Sequence, residues 1–191
     1  MGVRVLVVAS GETERLALPY LLAHLPSAVE VRIPPRGDLT IQRADQVIRA
    51  AFWEAKGRGQ PPDKAVVLVD ADAKDPGAKE DDFAPLHSRI GDLPLPVRVV
   101  AAKWHLEAWF FADLAGLRAW LGGRSPGRIA SSPDEIELPK HRLRNLLSEP
   151  YTARTAGSIA ASLSSTTIRQ RSPSFAKFED AVRNGAPAVE R

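Results

Sequence analysis

Cysteine is absent from the 191-residue sequence. Disulfide bonds, thiolate zinc sites and cysteine nucleophiles are therefore excluded. Any metal ion held by side chains must be bound by oxygen atoms or by one of the four histidines. The sequence also contains no run of 18 apolar residues, and it starts with a strand-like segment, VRVLVVAS, instead of a signal sequence. We therefore expect a soluble, cytoplasmic protein that has no membrane partner.

Two common nucleotide-binding motifs are missing as well. No segment of the form G-x-x-x-x-G-K-[ST] occurs, which argues against a P-loop. The turn at Gly11 lacks the additional glycines of a dinucleotide-binding fingerprint. A phosphate-handling function would therefore depend on other side chains.

Charge is distributed unevenly along the chain. Residues 140–191 carry nine Lys and Arg against four Asp and Glu, a net charge of +5, whereas residues 1–139 carry a net charge of −2. A basic surface beside an acidic pocket suits a polyanionic substrate that meets a metal ion, because phosphates need cations and the metal needs carboxylates. The alternative is that so modest an imbalance has no functional meaning.

The apolar pattern predicts alternating strands and helices. Val3–Ala9, Ala65–Val69 and Val97–Ala102 are apolar on both faces, as strands buried in a parallel sheet are, and Val29–Ile33 predicts a shorter strand. Helical spacing is found between them, and the segment 73–82 is polar and typical of a loop. This alternation predicts an α/β fold with a mostly parallel sheet flanked by helices. Helical segments are expected at Glu12–Leu25, Ile41–Lys56, Phe83–Ile90 and Trp104–Leu121.

No composition shift divides the chain into two domains, so we expect one domain over residues 1–191. Residues 1–121 would form the core, and a loop rich in Gly, Ser and Pro would span residues 122–139. Residues 140–191 would form a basic, helical C-terminal extension with helices near His141–Leu147, Thr155–Leu163 and Ser174–Arg183.

Paired carboxylates follow the predicted strand Val66–Val69. Ligands of parallel α/β sheets bind beyond the carboxyl ends of the strands, where Asp70 and Asp72 are expected. Alternate residues of an extended chain point to the same side, so both carboxylates can face one Mg²⁺ or Mn²⁺ ion. Aspartate is also common in turns, which is the alternative explanation for this pair.

Three further acids follow predicted strands. Glu12 and Glu14 come after Ser10-Gly11, although capping of the helix by Ser10 and the preference of its first turn for acids would also explain them. Glu107 lies near the start of the helix that follows the strand Val97–Ala102. We expect His105 to have a surface or capping role rather than to bind metal.

The order of these motifs resembles that of the TOPRIM fold found in primases, topoisomerases and OLD nucleases. The closest resemblance is to a small bacterial TOPRIM-like family that is related to OLD nucleases and is often encoded beside an AAA-type ATPase. That family reads roughly EG-x-T-E, D-x-D, E-a-W-l-l-a-D and a final Pro-x-Phe segment. The matching segments here are SGETE at 10–14, DAD at 70–72, EAWFFAD at 107–113, and SPSF at 172–175 with Phe178.

The resemblance implies a TOPRIM-like, Rossmann-like fold and a metal-dependent nuclease that acts on DNA or RNA, as a phage-defence effector with an ATPase partner. It further implies that Glu14, Asp70 and Asp72 hold Mg²⁺ or Mn²⁺, that Glu12 or Glu107 completes a second site, and that Lys103 or Lys140 offsets charge on the phosphate. Ser10 departs from the pattern, because it stands where the leading Glu is expected. A catalytically impaired nucleic-acid-binding or regulatory subunit is therefore one alternative, and a different phosphate-handling α/β protein is another.

Overall fold

The fold is organised around a four-stranded sheet in which all strands are parallel. The computed structural model describes residues 2–35, 37–72, 75–129 and 132–184. The strand order is β2-β1-β3-β4, so β1 and β3 occupy the centre. This confirms the α/β fold with a parallel sheet flanked by helices. The strands are β1 (Arg4–Val8), β2 (Ala28–Arg32), β3 (Lys64–Asp70) and β4 (Val97–Ala102).

Two layers of helices bury the two faces of the sheet in separate apolar clusters. One layer is formed by α2 (Ile41–Gly57) and α4 (Pro85–Arg89), while α3 (Pro76–Asp82) lies against the edge strand β4, whose Ala101 amide donates to Glu80. The other contains α1 (Glu12–Leu21), α5 (Glu107–Phe110), α6 (Leu114–Trp120), α7 (Pro139–Leu146), α8 (Ala153–Ser162), α9 (Ser165–Arg171) and α10 (Pro173–Arg183). The described helices include none that is long and apolar enough to cross a membrane.

The single helix expected over Trp104–Leu121 is wrong. The segment forms two short helices instead, because the side chain of Asp113 accepts a hydrogen bond from the Gly116 amide (3.0 Å) and starts α6 as a new helix. A second carboxylate oxygen of Asp113 accepts from the Ser164 amide at 2.9 Å, just before α9. Asp113, the last acid of the EAWFFAD motif, therefore caps α6 and also binds Ser164, the residue that caps α9.

The expectation of a loop is also wrong for residues 76–82. Residues 73 and 74 of the expected loop lie outside the described ranges. Residues 76–82 form α3, because Asp75 accepts a hydrogen bond from the Gly77 amide (2.9 Å) and Pro76 occupies the first turn. The expected loop 122–139 contains a short 3-10 turn at Pro133–Glu135. A capping side chain followed by proline starts both α3 and the turn at Pro133–Glu135. The spacing of apolar residues does not reveal such caps.

The C-terminal extension is part of the main core. Trp109 donates from Nε1 to Ser174 Oγ (2.8 Å), and its ring centroid lies 5.1 Å from that of Phe175 and 5.5 Å from that of Phe178. Asp134 is buried beneath this contact and accepts hydrogen bonds from the side chains of Ser172 and Ser174. The SPSF segment thus attaches α10 to the tryptophan of the EAWFFAD motif, which gives both motifs a structural reason.

Candidate metal centre

The carboxyl ends of three neighbouring strands bring the predicted acids to one edge of the sheet. Val8 of β1 pairs with Val67 of β3, and Asp70 of β3 pairs with Ala102 of β4. The segments that follow these strands are 9–14, 71–72 and 103–107. All three therefore begin at the same edge, which is where ligands of parallel α/β sheets bind.

An open cavity of about 290 Å³ lies at this edge, and we call it the acid cavity. Glu14, Asp70 and Asp72 share it, as expected from the sequence, although their role as metal ligands stays a prediction. Lys79 from α3 and Lys140 from α7 add positive charge to the same wall. The lining residues that matter here are Ser10, Glu14, Asp70, Asp72, Lys79 and Lys140.

The carboxylates of this cavity are close enough to repel one another. Burial raises the pKa of Asp70 well above its usual range, and the charges of Glu14, Glu107 and Asp72 raise it further. Burial also raises the pKa of Glu14, with an added contribution from Glu107, while Lys140 and backbone hydrogen bonds lower it. Such shifts mark negative charge that lacks enough neutralising partners within the protein.

Glu107 is held at the back of this group. It is 2% exposed, and its Oε1 accepts a hydrogen bond from the Tyr151 hydroxyl at 3.0 Å. Lys140 Nζ lies 3.8 Å from the same oxygen. Burial and the Glu107 charge raise the pKa of Tyr151, so the hydroxyl stays protonated and acts as a donor. No sequence motif pointed to Tyr151, because 44 residues separate it from Glu107.

Two residues at this edge adopt left-handed backbone conformations that are uncommon for residues other than glycine. The φ angles are +53° at Asp72 and +63° at Trp104, and the Asp72 amide donates to the Trp104 carbonyl at 3.2 Å. Strained conformations of this kind concentrate at functional sites. With these conformations, the backbone of the DAD segment contacts the segment that follows β4.

His105 contacts the aspartate pair directly, which the expected surface or capping role did not include. Its Nε2 lies 2.8 Å from Asp72 Oδ1. Its Nδ1 is buried and has no hydrogen-bond partner among the described residues. His105 therefore orients Asp72 through one ring nitrogen.

Two predicted catalytic residues do not join the acid cavity. Glu12 has a side chain that is 55% exposed and forms an ion pair with Arg15 at 2.5 Å on the outer face of α1. Lys103 Nζ pairs with Glu135 Oε1 at 2.8 Å. Neither side chain lines the cavity, so their placement does not support the catalytic roles expected for Glu12 and Lys103.

Ser10 does not cap α1, which corrects the alternative explanation of this segment. The residue that caps the helix is Gly11, in an extended conformation and without a side-chain hydrogen bond. Ser10 lines the acid cavity instead. The position expected for a leading acid thus faces the candidate site with a neutral hydroxyl.

The donor chemistry of the acid cavity fits a hard divalent cation, because Mg²⁺ and Mn²⁺ prefer carboxylate oxygens. In the described ranges, no three His, Asp or Glu side chains are arranged to hold a metal ion as they stand. Ion binding would therefore require Glu14, Asp70 and Asp72 to draw closer together. Neutralisation of their mutual repulsion would favour that movement.

The positive charge of residues 140–191 forms a basic surface only in part. Six of its nine Lys and Arg side chains form ion pairs or hydrogen bonds within the protein: Lys140, Arg142, Arg169, Arg171, Lys177 and Arg183. Lys140 lines the acid cavity, and Arg144 and Arg154 are exposed. Among the described residues, the basic side chains of this segment that form no ion pair or hydrogen bond within the protein are therefore Arg144 on α7 and Arg154 at the start of α8.

Comparison with known proteins gives one match. A family model described as a domain of unknown function (DUF4276) matches residues 11–183. No curated protein and no solved structure matches the chain.

Proposed function

The chain belongs to the DUF4276 family, and we propose that it is a metal-dependent phosphodiester hydrolase that cleaves nucleic acid. The observation that carries the proposal is the acid cavity itself, which Glu14, Asp70 and Asp72 line together at the carboxyl edge of a parallel sheet. Two lysines on the same wall supply the positive charge that a phosphodiester needs.

Each side chain has a defined task in this proposal. Glu14, Asp70 and Asp72 would hold Mg²⁺ or Mn²⁺, which when bound lowers the pKa of a water molecule and stabilises charge on the phosphate. Lys79 and Lys140 offer ammonium groups to the non-bridging phosphate oxygens. These tasks require only groups that already line the cavity.

The remaining groups position the ligands. His105 Nε2 holds Asp72 Oδ1 at 2.8 Å and so restricts the orientation of that carboxylate. Tyr151 donates to Glu107, and Lys140 lies between Glu107 and the cavity. Glu107 therefore acts through Lys140, or completes a second ion site as the TOPRIM resemblance implies.

The biological setting of the proposal comes from the resemblance to TOPRIM-like relatives of OLD nucleases. On that basis we extend it to a cytoplasmic phage-defence effector that works with an AAA-type ATPase partner. The all-parallel sheet with acids at its carboxyl edge is compatible with this relationship.

One observation favours a second candidate function, a nucleic-acid-binding subunit with impaired catalysis. The leading acid of the EG-x-T-E pattern is replaced by Ser10, which lines the acid cavity and offers only a neutral oxygen. A site with one ligand fewer would bind a divalent ion more weakly.

A cleavage assay tests the proposal. The purified protein is incubated with single-stranded and duplex DNA and RNA in the presence of Mg²⁺, Mn²⁺ or EDTA. We expect cleavage with either metal, none with EDTA, and a loss of at least about 100-fold for Asp70→Asn and Asp72→Asn, which each remove a charged ligand. Asp82→Asn is the matched control, because Asp82 is exposed on α3 and does not line the cavity.

The same assay separates the two candidate functions. Nucleic-acid binding without cleavage under any metal condition would support the impaired subunit. Cleavage that persists in Asp70→Asn and Asp72→Asn would show that the acid cavity is not the active site.

A further inference from the structure

A second open cavity, of about 640 Å³, lies where the end of α6 meets the start of α8, and we call it the Trp120 cavity. It shares no lining residue with the acid cavity. Its wall combines an aromatic ring, two guanidinium groups and one carboxylate. The residues that provide these groups and the neighbouring wall are Trp120, Arg124, Glu149, Pro150, Thr152 and Arg154.

Trp120 presents a fixed aromatic surface to this cavity. Its Nε1 donates to Ser158 Oγ at 3.0 Å, and part of the ring packs against the apolar core. The ring is therefore held in one orientation while remaining half-buried at the cavity wall. A rigid, partly exposed ring of this kind can stack on a nucleobase without losing much side-chain freedom.

Arg124 and Arg154 are exposed, and neither lies within ion-pair distance of a carboxylate in the ranges that the structure describes. A guanidinium group without a carboxylate partner is suited to a phosphate, which it can bind through two parallel hydrogen bonds.

Glu149 restricts the ligand that this cavity can accept. Its carboxylate disfavours a cluster of phosphates, but it can accept hydrogen bonds from amino or hydroxyl groups of a base or a sugar. The combination of one ring, two guanidinium groups and one carboxylate matches a single nucleotide rather than a bare polyphosphate.

Tyr151 connects a segment of the Trp120 cavity wall with Glu107, whose charge acts on Glu14 and Asp70. Pro150 and Thr152 line the Trp120 cavity, whereas the Tyr151 side chain reaches the other way and donates to Glu107 beside the acid cavity. On α7, Arg144 lies one turn after Lys140 and acts electrostatically on Tyr151. Lys140, which lines the acid cavity, and Arg144 thus place two positive charges on α7 near Tyr151 and Glu107.

We propose that the Trp120 cavity binds one nucleotide of a single-stranded nucleic acid whose neighbouring phosphodiester reaches the acid cavity. This inference rests on the proposed function, since it names the substrate class of that site. A base within a duplex is already stacked on its neighbours, whereas an unpaired base is free to stack on Trp120. The protein should therefore prefer single strands to duplexes.

Fluorescence anisotropy in EDTA tests this proposal without requiring metal or cleavage. The probes are labelled single-stranded DNA and RNA of about 12 nucleotides, and a blunt duplex of the same sequence. We expect the single strands to bind at least about fivefold more tightly than the duplex. Binding to RNA alone would indicate recognition of the ribose 2′-hydroxyl, and binding to both would indicate base and phosphate recognition; each supports the proposal.

Three variants and one control locate the binding. We expect Trp120→Leu to weaken binding about tenfold and Trp120→Phe to retain most of it, because phenylalanine can still stack. Arg154→Gln should weaken binding and reduce the slope of log affinity against log salt by about 0.7. The control is Arg89→Gln, an exposed arginine on α4 in the opposite helical layer.

The outcomes distinguish this proposal from the function on which it rests. If single strands do not bind, or if Trp120→Leu and Arg154→Gln bind as tightly as the wild type, the proposal is wrong even when metal-dependent cleavage is observed. If these variants lose binding and no cleavage occurs, the nucleotide site is supported and the hydrolase function fails. Arg154 has an exposed side chain, so its variant is informative even if Trp120→Leu does not fold.

Discussion

Buried carboxylates occur in two regions of this protein, and their surroundings are opposite. Beneath α10, Asp134 accepts three hydrogen bonds from Ser172 and Ser174, one of them from a backbone amide. In the acid cavity, burial and neighbouring negative charge raise the pKa values of Glu14 and Asp70. The first carboxylate is satisfied within the fold, whereas the second pair is not. Burial alone therefore does not mark a candidate functional acid, whereas burial without neutralising partners does.

Glu179 extends the first group. It is fully buried, and although burial raises its pKa, hydrogen bonds from Arg183, His24 and Arg169 lower that pKa below its usual range overall. His24 Nε2 lies 2.9 Å from Glu179 Oε1, so this histidine, three residues after the end of α1, helps to attach α10. At the opposite end of the sheet, buried Lys64 donates to the carbonyl groups of Ala181 and Asn184 near the end of the same helix. Ionic groups around α10 thus serve the fold.

The largest expected effect is at Asp134. The change Asp134→Ala leaves two buried serine hydroxyls and one buried amide without their acceptor, and we expect it to lower the free energy of unfolding by about 3 kcal/mol. Urea denaturation monitored by circular dichroism measures this loss. Asp134→Asn is the control and should cost less, because its amide oxygen can still accept. A loss below about 0.5 kcal/mol for Asp134→Ala would contradict the structural role.

A smaller loss of stability, and a pH dependence, are expected at Glu179. Glu179→Gln should cost about 2 kcal/mol at pH 7, less than for a fully buried ion pair because Arg169 and Arg183 are partly exposed. Because the folded-state pKa of Glu179 is lowered, its contribution is fully present above the unfolded-state pKa and is lost as the pH falls through the folded-state value. Denaturation curves at several pH values should therefore converge for the two proteins in acid. Equal stability at pH 7 would contradict the assignment.

Stability should change in the opposite direction in the acid cavity. Because the folded-state pKa of Asp70 is raised, the ionised carboxylate destabilises the fold, increasingly as the pH rises above the unfolded-state value. We expect Asp70→Asn to stabilise the metal-free protein at pH 8 by roughly 1 kcal/mol, a gain common where a strained functional site is relieved. The gain should disappear at low pH. Destabilisation by Asp70→Asn at pH 8 would remove the contrast between the two regions.

The sequence predicted the parts of this contrast that depend on local pattern. Apolar runs located all four strands, and the position of Asp70 and Asp72 after β3 located the acid cavity, because the carboxyl ends of parallel strands share an edge. The break between α5 and α6 was missed because Asp113 caps a helix within an otherwise helical pattern. Helix caps compete with apolar spacing and win wherever they satisfy free backbone groups.

The contacts that define each carboxylate's surroundings are long-range, and a single sequence does not report them. Tyr151 reaches Glu107 across 44 residues, and Lys177 pairs with Glu80 across 97. Glu12 and Glu14 have the same local setting, yet the helical turn places Glu12 outward beside Arg15 and Glu14 inward. The sequence therefore located the acids at this edge of the sheet. It did not distinguish the acids that face the cavity from Glu12, which points outward.

The smallest stability change, and the sharpest test of the contrast, is expected at Ser10. Ser10→Glu adds a carboxylate to a cavity whose acids already repel one another, so the metal-free protein should lose about 0.5 kcal/mol. With Mg²⁺ or Mn²⁺, Ser10→Glu should instead be more stable than the wild type, because an added carboxylate lowers the dissociation constant of the ion. An ion that binds only the folded state stabilises it by about 1.4 kcal/mol at ten times its dissociation constant. Thermal unfolding over a metal titration measures both effects, and Ser10→Gln, of the same size without the charge, is the control. Equal metal-induced stabilisation of Ser10→Glu, Ser10→Gln and the wild type would mean that residue 10 does not reach the ion, and no metal-induced stabilisation of any of the three would mean that the unsatisfied acids do not bind it.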